Sequence, residues 1–119
     1  MKLEIAHIVK RFPLKNVLDD ISYTFQTGKF YALLGENGTG KSTLANILSG
    51  FITPSSGGLF IDDKKVFFTH PVDAQKYKIE LIRQRPLLAN ELTVKENIML
   101  GHEHAIFCED FLLYPIPLH

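Results

Sequence analysis

Gly35-Glu36-Asn37-Gly38-Thr39-Gly40-Lys41-Ser42 fit the Gly-x4-Gly-Lys-Ser/Thr phosphate-binding pattern in full. Closing a backbone round phosphate oxygens requires N–H groups that point inward. Glycines remove the Cβ atoms that would block that approach, and Gly35, Gly38 and Gly40 supply the freedom. Lys41 brings a compact charge able to reach β- and γ-phosphates, the Ser42 hydroxyl is of the type that ligates Mg²⁺, and Thr43 extends the match. The chemistry expected is therefore the binding of a magnesium nucleotide.

Such a loop needs a strand before it and a helix after it. Lys29-Phe30-Tyr31-Ala32-Leu33-Leu34 ends in an apolar run, which predicts a strand buried on both faces of a mostly parallel sheet. Past the loop, Leu44, Ile47 and Leu48 fall on one helical face, and Gly50 stands where a C-terminal cap would be. The start of that helix adds unpaired N–H groups and partial positive charge to the anion site. The expected fold class is thus α/β.

The 119-residue sequence as a whole sets bounds on the reading. Its hydrophobic content of 45% suits one small core, and 13 basic residues against 13 acidic ones leave a formal net charge of +0. No broad field favours nucleic acid or an anionic membrane, so no nucleic-acid partner is expected. Cys108 is the sole cysteine, which excludes an internal disulfide and permits a reducing compartment. The charged start, Met1-Lys2-Leu3-Glu4, does not look like a signal peptide. The apolar-leaning stretch from Ala105 to Leu118 is interrupted by Glu109, Asp110, Pro115 and Pro117 and is too short to cross a bilayer.

Taken in order, residues Leu3 to Val9 and Val17 to Phe25 predict two strands, joined by a turn at Lys10-Arg11-Phe12-Pro13. Phe12 has two readings there, a ring on which adenine stacks or a plug in the core. Thr53 to Gly58 predicts a loop, and Leu59-Phe60-Ile61 with Val66-Phe67-Phe68 a hairpin turning at Asp62-Asp63. His70-Pro71-Val72-Asp73-Ala74 opens a short helix, Ile79 to Ile82 forms a further strand, and Thr93 caps a helix that ends near Gly101. His102-Glu103-His104 lacks the spacing of a shared helical metal site.

Beyond the loop, the order of features from Leu3 to Glu103 resembles the ATP-binding subunit of ABC transporters. Gly35 to Thr43, including Asn37, is similar to that family's Walker A form, and Glu96-Asn97-Ile98 to its Glu-Asn-Ile run. The resemblance implies that Phe12 stacks on adenine with Val17 as a neighbour, and that Gln84 is the Q-loop glutamine which joins Ser42 at Mg²⁺ and senses a membrane partner. Pro71 to Ala74 and Leu92 to Gly101 look most like importers of sugars and nucleosides. The fold implied is the N-terminal part of a P-loop NTPase, RecA-like, core with an antiparallel β subdomain, incomplete.

What the resemblance implies further is Mg-ATP bound by Phe12, Val17, Gly35, Glu36, Asn37, Gly38, Thr39, Gly40, Lys41, Ser42, Thr43 and Gln84. Its partners would be a transmembrane permease subunit and a second ATP-binding domain, with the chain at the cytoplasmic face of the membrane. Residues 1–103 match a partial ABC-type nucleotide-binding domain, and residues 104–119 have no evident counterpart. The family's Walker B strand, Leu-Ser-Gly-Gly-Gln signature and switch histidine find no match, so no catalytic residue is assigned and hydrolysis by these 119 residues alone is not expected. Two other readings stand beside this one: a truncated product without function, and a P-loop ATPase that does not serve transport.

Overall fold

A computed structural model describes residues 1–83 and 88–100. The chain divides into two compact units, 1–81 and 82–119.

The first unit is built on one antiparallel sheet. Strand β1 (Lys2–Phe12) runs to a two-residue turn at Pro13 and Leu14, and β2 (Lys15–Gln26) returns beside it. Helix α1 (Lys41–Leu48) follows, then β3 (Ser56–Ile61) and β4 (Lys64–Val66), giving the spatial order β2-β1-β3-β4. The hairpin anticipated at Asp62-Asp63 is present. Both aspartates take left-handed φ values, 47° and 65°, as a tight hairpin turn demands, and Lys2 ties the turn to β1 through its backbone N–H on Asp62 at 2.7 Å and its ammonium on Asp63. The Asp63 carboxylate raises the pKa of Lys2 above the ordinary lysine value.

Simple alternation does not explain β1. Leu3 and Ile5 are buried, but His7 is exposed and Ile8 buried instead. The ladder slips between Ile5 and Ile8, with His7 at φ 52° and Asp20 on the facing strand at φ 53°, so the inward phase is shifted on both strands at once. That is why Leu18 and Ile21, three apart, both face the core. His7 Nδ1 lies 2.6 Å from Asp20 Oδ1, and the His7 N–H donates to Ser22 Oγ at 2.8 Å, which satisfies groups that the irregular ladder leaves over. The turn expected at residues 10–13 is accordingly shorter, with Lys10, Arg11 and Phe12 inside the strand.

The core gathers Leu3, Ile5 and Ile8 of β1, Leu18 of β2, Leu44 and Ile47 of α1, Leu59 and Ile61 of β3, Val66, Phe68 and Ala74. Burial of this apolar set against one face of the sheet is the driving force that holds α1 in place. Helix α2 (Pro71–Gln75) has Pro71 at its first position. The Asp73 carboxylate accepts from the N–H of Thr69 at 3.0 Å and of His70 at 3.2 Å. These bonds, the Thr69 N–H foremost and then the Lys76 ammonium, hold Asp73 well below the usual carboxylate range.

Two expected strands are absent. Residues 29–34 form no ladder, and Leu34 is 88% exposed. Its neighbour Tyr31 is the anchor of the segment, packed edge-on to Phe25 at 5.2 Å and accepting the Gln26 N–H at 2.9 Å. Residues 79–83 are likewise outside any ladder, with Ile82 95% exposed, although Ile79 packs on the core. A strand is completed only by a neighbour's N–H and C=O groups, and among the described residues neither segment has one.

In the second unit, α3 (Val94–Met99) begins as anticipated at Thr93, whose hydroxyl accepts the Glu96 N–H while the Glu96 carboxylate accepts the Thr93 N–H at 2.7 Å. Asn97 reaches back from this helix and receives the Ala89 N–H at 2.9 Å while donating to the carbonyls of Ala89, Leu92 and Thr93. Gln84 and residues 101–119, including His102, His104 and Cys108, lie outside the described residues.

Candidate phosphate-binding site

The site is a turn laid on the start of a helix. Helix α1 begins at Lys41, and its first intrahelical bond runs from the Leu44 N–H to the Gly40 carbonyl at 2.9 Å. The amides of Lys41, Ser42 and Thr43 therefore precede the ladder, and no acidic side chain in the first turn competes with an incoming anion for them. The helix is pinned from below by Leu44 and Ile47, which the periodicity indicated.

Gly40 and Gly38 give the loop its shape. Gly40 caps α1 at φ 102°, and a Cβ there would stand 2.8 Å from both the Val17 carbonyl oxygen and Leu18 Cδ2. No other residue type fits that backbone so close to β2. Gly38 turns at φ 80°, and a Cβ there would meet nothing within 4 Å. Here conformation alone is the requirement.

Side chains complete the loop. Thr39 Oγ1 donates to the Glu36 carbonyl at 2.8 Å, closing a local turn. The Lys41 ammonium folds back across the loop and donates to the carbonyls of Gly35 at 2.7 Å and Glu36 at 2.5 Å. It is thereby held at the loop's entrance. Ser42 is exposed beside it, and Thr43 is half-buried one position on.

The two residues expected to lie near the nucleotide's base, Val17 and Phe12, stand in different surroundings. Val17 is half-buried with its carbonyl against Gly40, so it adjoins the phosphate loop itself. Phe12, at the end of β1, is 42% exposed and outside the core, and the Lys10 ammonium sits 5.2 Å from its ring centroid. Lys10 also donates to the Thr53 carbonyl at 2.8 Å, which fixes that contact.

Sequence reasoning missed Lys15. Its ammonium crosses to the loop and donates to the Gly38 carbonyl at 3.2 Å. No local pattern marks a lysine for this, because the contact depends on how the β1–β2 hairpin meets a loop more than twenty positions later. Among the described residues no group of three or more histidine, cysteine, aspartate or glutamate side chains could hold a metal ion, and no helix is long and apolar enough to cross a membrane.

Comparison with known proteins agrees with this geometry. The family model described as ABC transporter matches residues 18–113, a span that takes in the loop, all of α1 and part of the segment after residue 103. The chain belongs to the ABC transporter family. It is 42% identical over 106 residues to the ribose import ATP-binding protein of Shouchella clausii, a match covering 89% of this chain and 21% of that protein. The arabinose import ATP-binding protein of Yersinia pestis is 51% identical over 99 residues, covering 83% of this chain and 19% of that protein. A crystal structure of a nucleotide-free ATP-binding cassette from an ABC transporter superposes with a TM-score of 0.76 at 33% identity, covering 85% of this chain and 40% of that one. The fold is therefore a partial α/β ABC cassette with an antiparallel sheet, and the chain spans about one fifth of the length of the import proteins it matches.

Proposed function

We propose that this ABC transporter family chain binds Mg-ATP through residues 35–43 as the front part of an ATP-binding subunit that energises import of a small solute, a sugar or nucleoside. The observation that carries the reading is the helix start at Lys41. Three amides ahead of the ladder, two left-handed glycines and an ammonium held over the loop by the Gly35 and Glu36 carbonyls meet at one loop, a donor set suited to a polyphosphate. Lys41 would give up its bonds to the Gly35 and Glu36 carbonyls in favour of phosphate oxygens. Ser42 and, from the family pattern, Gln84 are the residues that would hold Mg²⁺, and the metal would supply charge neutralisation between the phosphates. Phe12 offers an exposed ring for the base. The sugar-import names of the two relatives support the solute class, and a permease subunit and a second ATP-binding domain are the partners that reading requires, at the cytoplasmic face of the membrane.

The test is titration of the 119-residue chain with Mg-ATP beside Lys41→Ala. The lysine's loss should weaken binding at least thirty-fold, about 2 kcal/mol for a charge-assisted contact to phosphate. Equal affinity of the two proteins contradicts the assignment. Phosphate release by the same chain should not exceed that of the Lys41→Ala control, since positioning and charge stabilisation by further carboxylates supply most of the rate in phosphoryl transfer. Lys41-dependent turnover would show that residues beyond the loop complete a catalytic site.

A further inference from the structure

Lys15 opens β2 directly after the Pro13–Leu14 turn and stands across the ladder from Phe12. From there its ammonium donates to the Gly38 carbonyl at 3.2 Å, while two residues on, Val17 and Leu18 press against Gly40. The hairpin thus holds the phosphate loop at two points. The second is steric and needs only backbone and apolar atoms. The first is a single charge-assisted bond to the part of the loop where Gly38, at φ 80°, has nothing packed against its open side.

A trans peptide is planar, so the carbonyl of Gly38 and the N–H of Thr39 point to opposite sides of one rigid unit. Holding the carbonyl toward β2 therefore decides where the Thr39 amide is aimed. We propose that Lys15 is a positioning residue for the phosphate site: by fixing the Gly38 carbonyl on the hairpin side, it turns the Thr39 N–H toward the phosphates before the nucleotide arrives. This rests on the reading of residues 35–43 as the nucleotide site. Binding then does not have to order that peptide, which is the physical meaning of preorganisation. Arginine can make the same bond with its own donors, whereas methionine keeps the length and loses every one of them.

The experiment compares the 119-residue chain with Lys15→Met, Lys15→Arg and Lys41→Ala, reading Mg-ATP affinity and, without nucleotide, amide hydrogen exchange. Lys15→Met should weaken Mg-ATP binding about five-fold, less than a buried charge-assisted bond because the side chain is exposed, and Lys15→Arg should recover most of it. In the nucleotide-free protein, the amides of Gly38 to Gly40 should exchange faster in Lys15→Met while those of β1 and β3 stay as they were. Faster exchange across the whole sheet, equal loss with arginine and methionine, or unchanged affinity beside a weakened Lys41→Ala each overturn the role of Lys15 alone. Undiminished binding by Lys41→Ala, or none by the unmodified chain, overturns the nucleotide reading and this inference with it.

Discussion

Two stretches of similar apolar character, residues 3–8 and residues 29–34, meet different ends in this molecule. In the first, Leu3, Ile5 and Ile8 are buried within a strand hydrogen-bonded on both sides, to β2 and to β3. In the second, Phe30, Leu33 and Leu34 are exposed, and only Tyr31 is engaged, through its ring contacts and the Gln26 N–H. Strand propensity and apolarity are comparable. What differs is a partner, because a β-strand is a relation between chains and its backbone groups have no intrinsic complement within the segment. The phosphate loop lies between these regimes, since its C-terminal side rests on the sheet through Gly40 while its N-terminal side continues from residues 29–34.

That contrast is open to direct attack. The largest effect should come from Ile5→Ala, which removes a side chain that is 1% exposed and should cost about 3 kcal/mol in denaturant unfolding, whereas Leu34→Ser should cost nothing measurable. Equal losses at the two positions would mean that residues 29–34 are packed in solution. Next comes Gly40→Ala, expected to lose about 2 kcal/mol because it adds left-handed strain to a clash with the Val17 carbonyl. Its affinity for Mg-ATP should fall too, and full retention of both would show that the loop does not depend on the sheet for its shape.

The smallest effect concerns Asp73, outside both stretches. Its folded pKa lies well below the ordinary value of 3.8, so its contribution is fully present above that value and is lost as the pH falls from there toward the lower folded pKa. Asp73→Asn should therefore melt below the unmodified chain at neutral pH, with the gap narrowing progressively as the pH falls below about 4. A gap that stays constant across that range would show that the carboxylate's charge plays no part.

Local signals were legible where the structure is made locally. Gly35 to Ser42 announced the loop, Thr93 and Glu96 a helix start, and Asp62-Asp63 a hairpin, because each depends on atoms a few residues apart. The phase change at His7 and Asp20 was not legible. Neither residue is a glycine, and the shift exists only because two strands slip together. Residues 29–34 and 79–82 read as strands for a sound reason, their apolar runs, yet pattern cannot supply a neighbour. Lys15 and Lys10 were overlooked for the same cause, since the carbonyls they reach, Gly38 and Thr53, are brought near by the fold and not by spacing.

The placement of β1 between β2 and β3 also gives its two edges unequal closure costs. Its first edge is satisfied by a hairpin with a two-residue turn, among the fastest long structures a chain can form. Its second edge is completed by residues 56–61, which lie beyond the phosphate loop and α1 in the chain. The contacts of β3 with β1 span more of the chain than those of β2 with β1 and close the larger ring. The pairing with the larger loop-closure cost is thus the one that places Leu59 and Ile61 in the core beside Leu44 and Ile47 of α1.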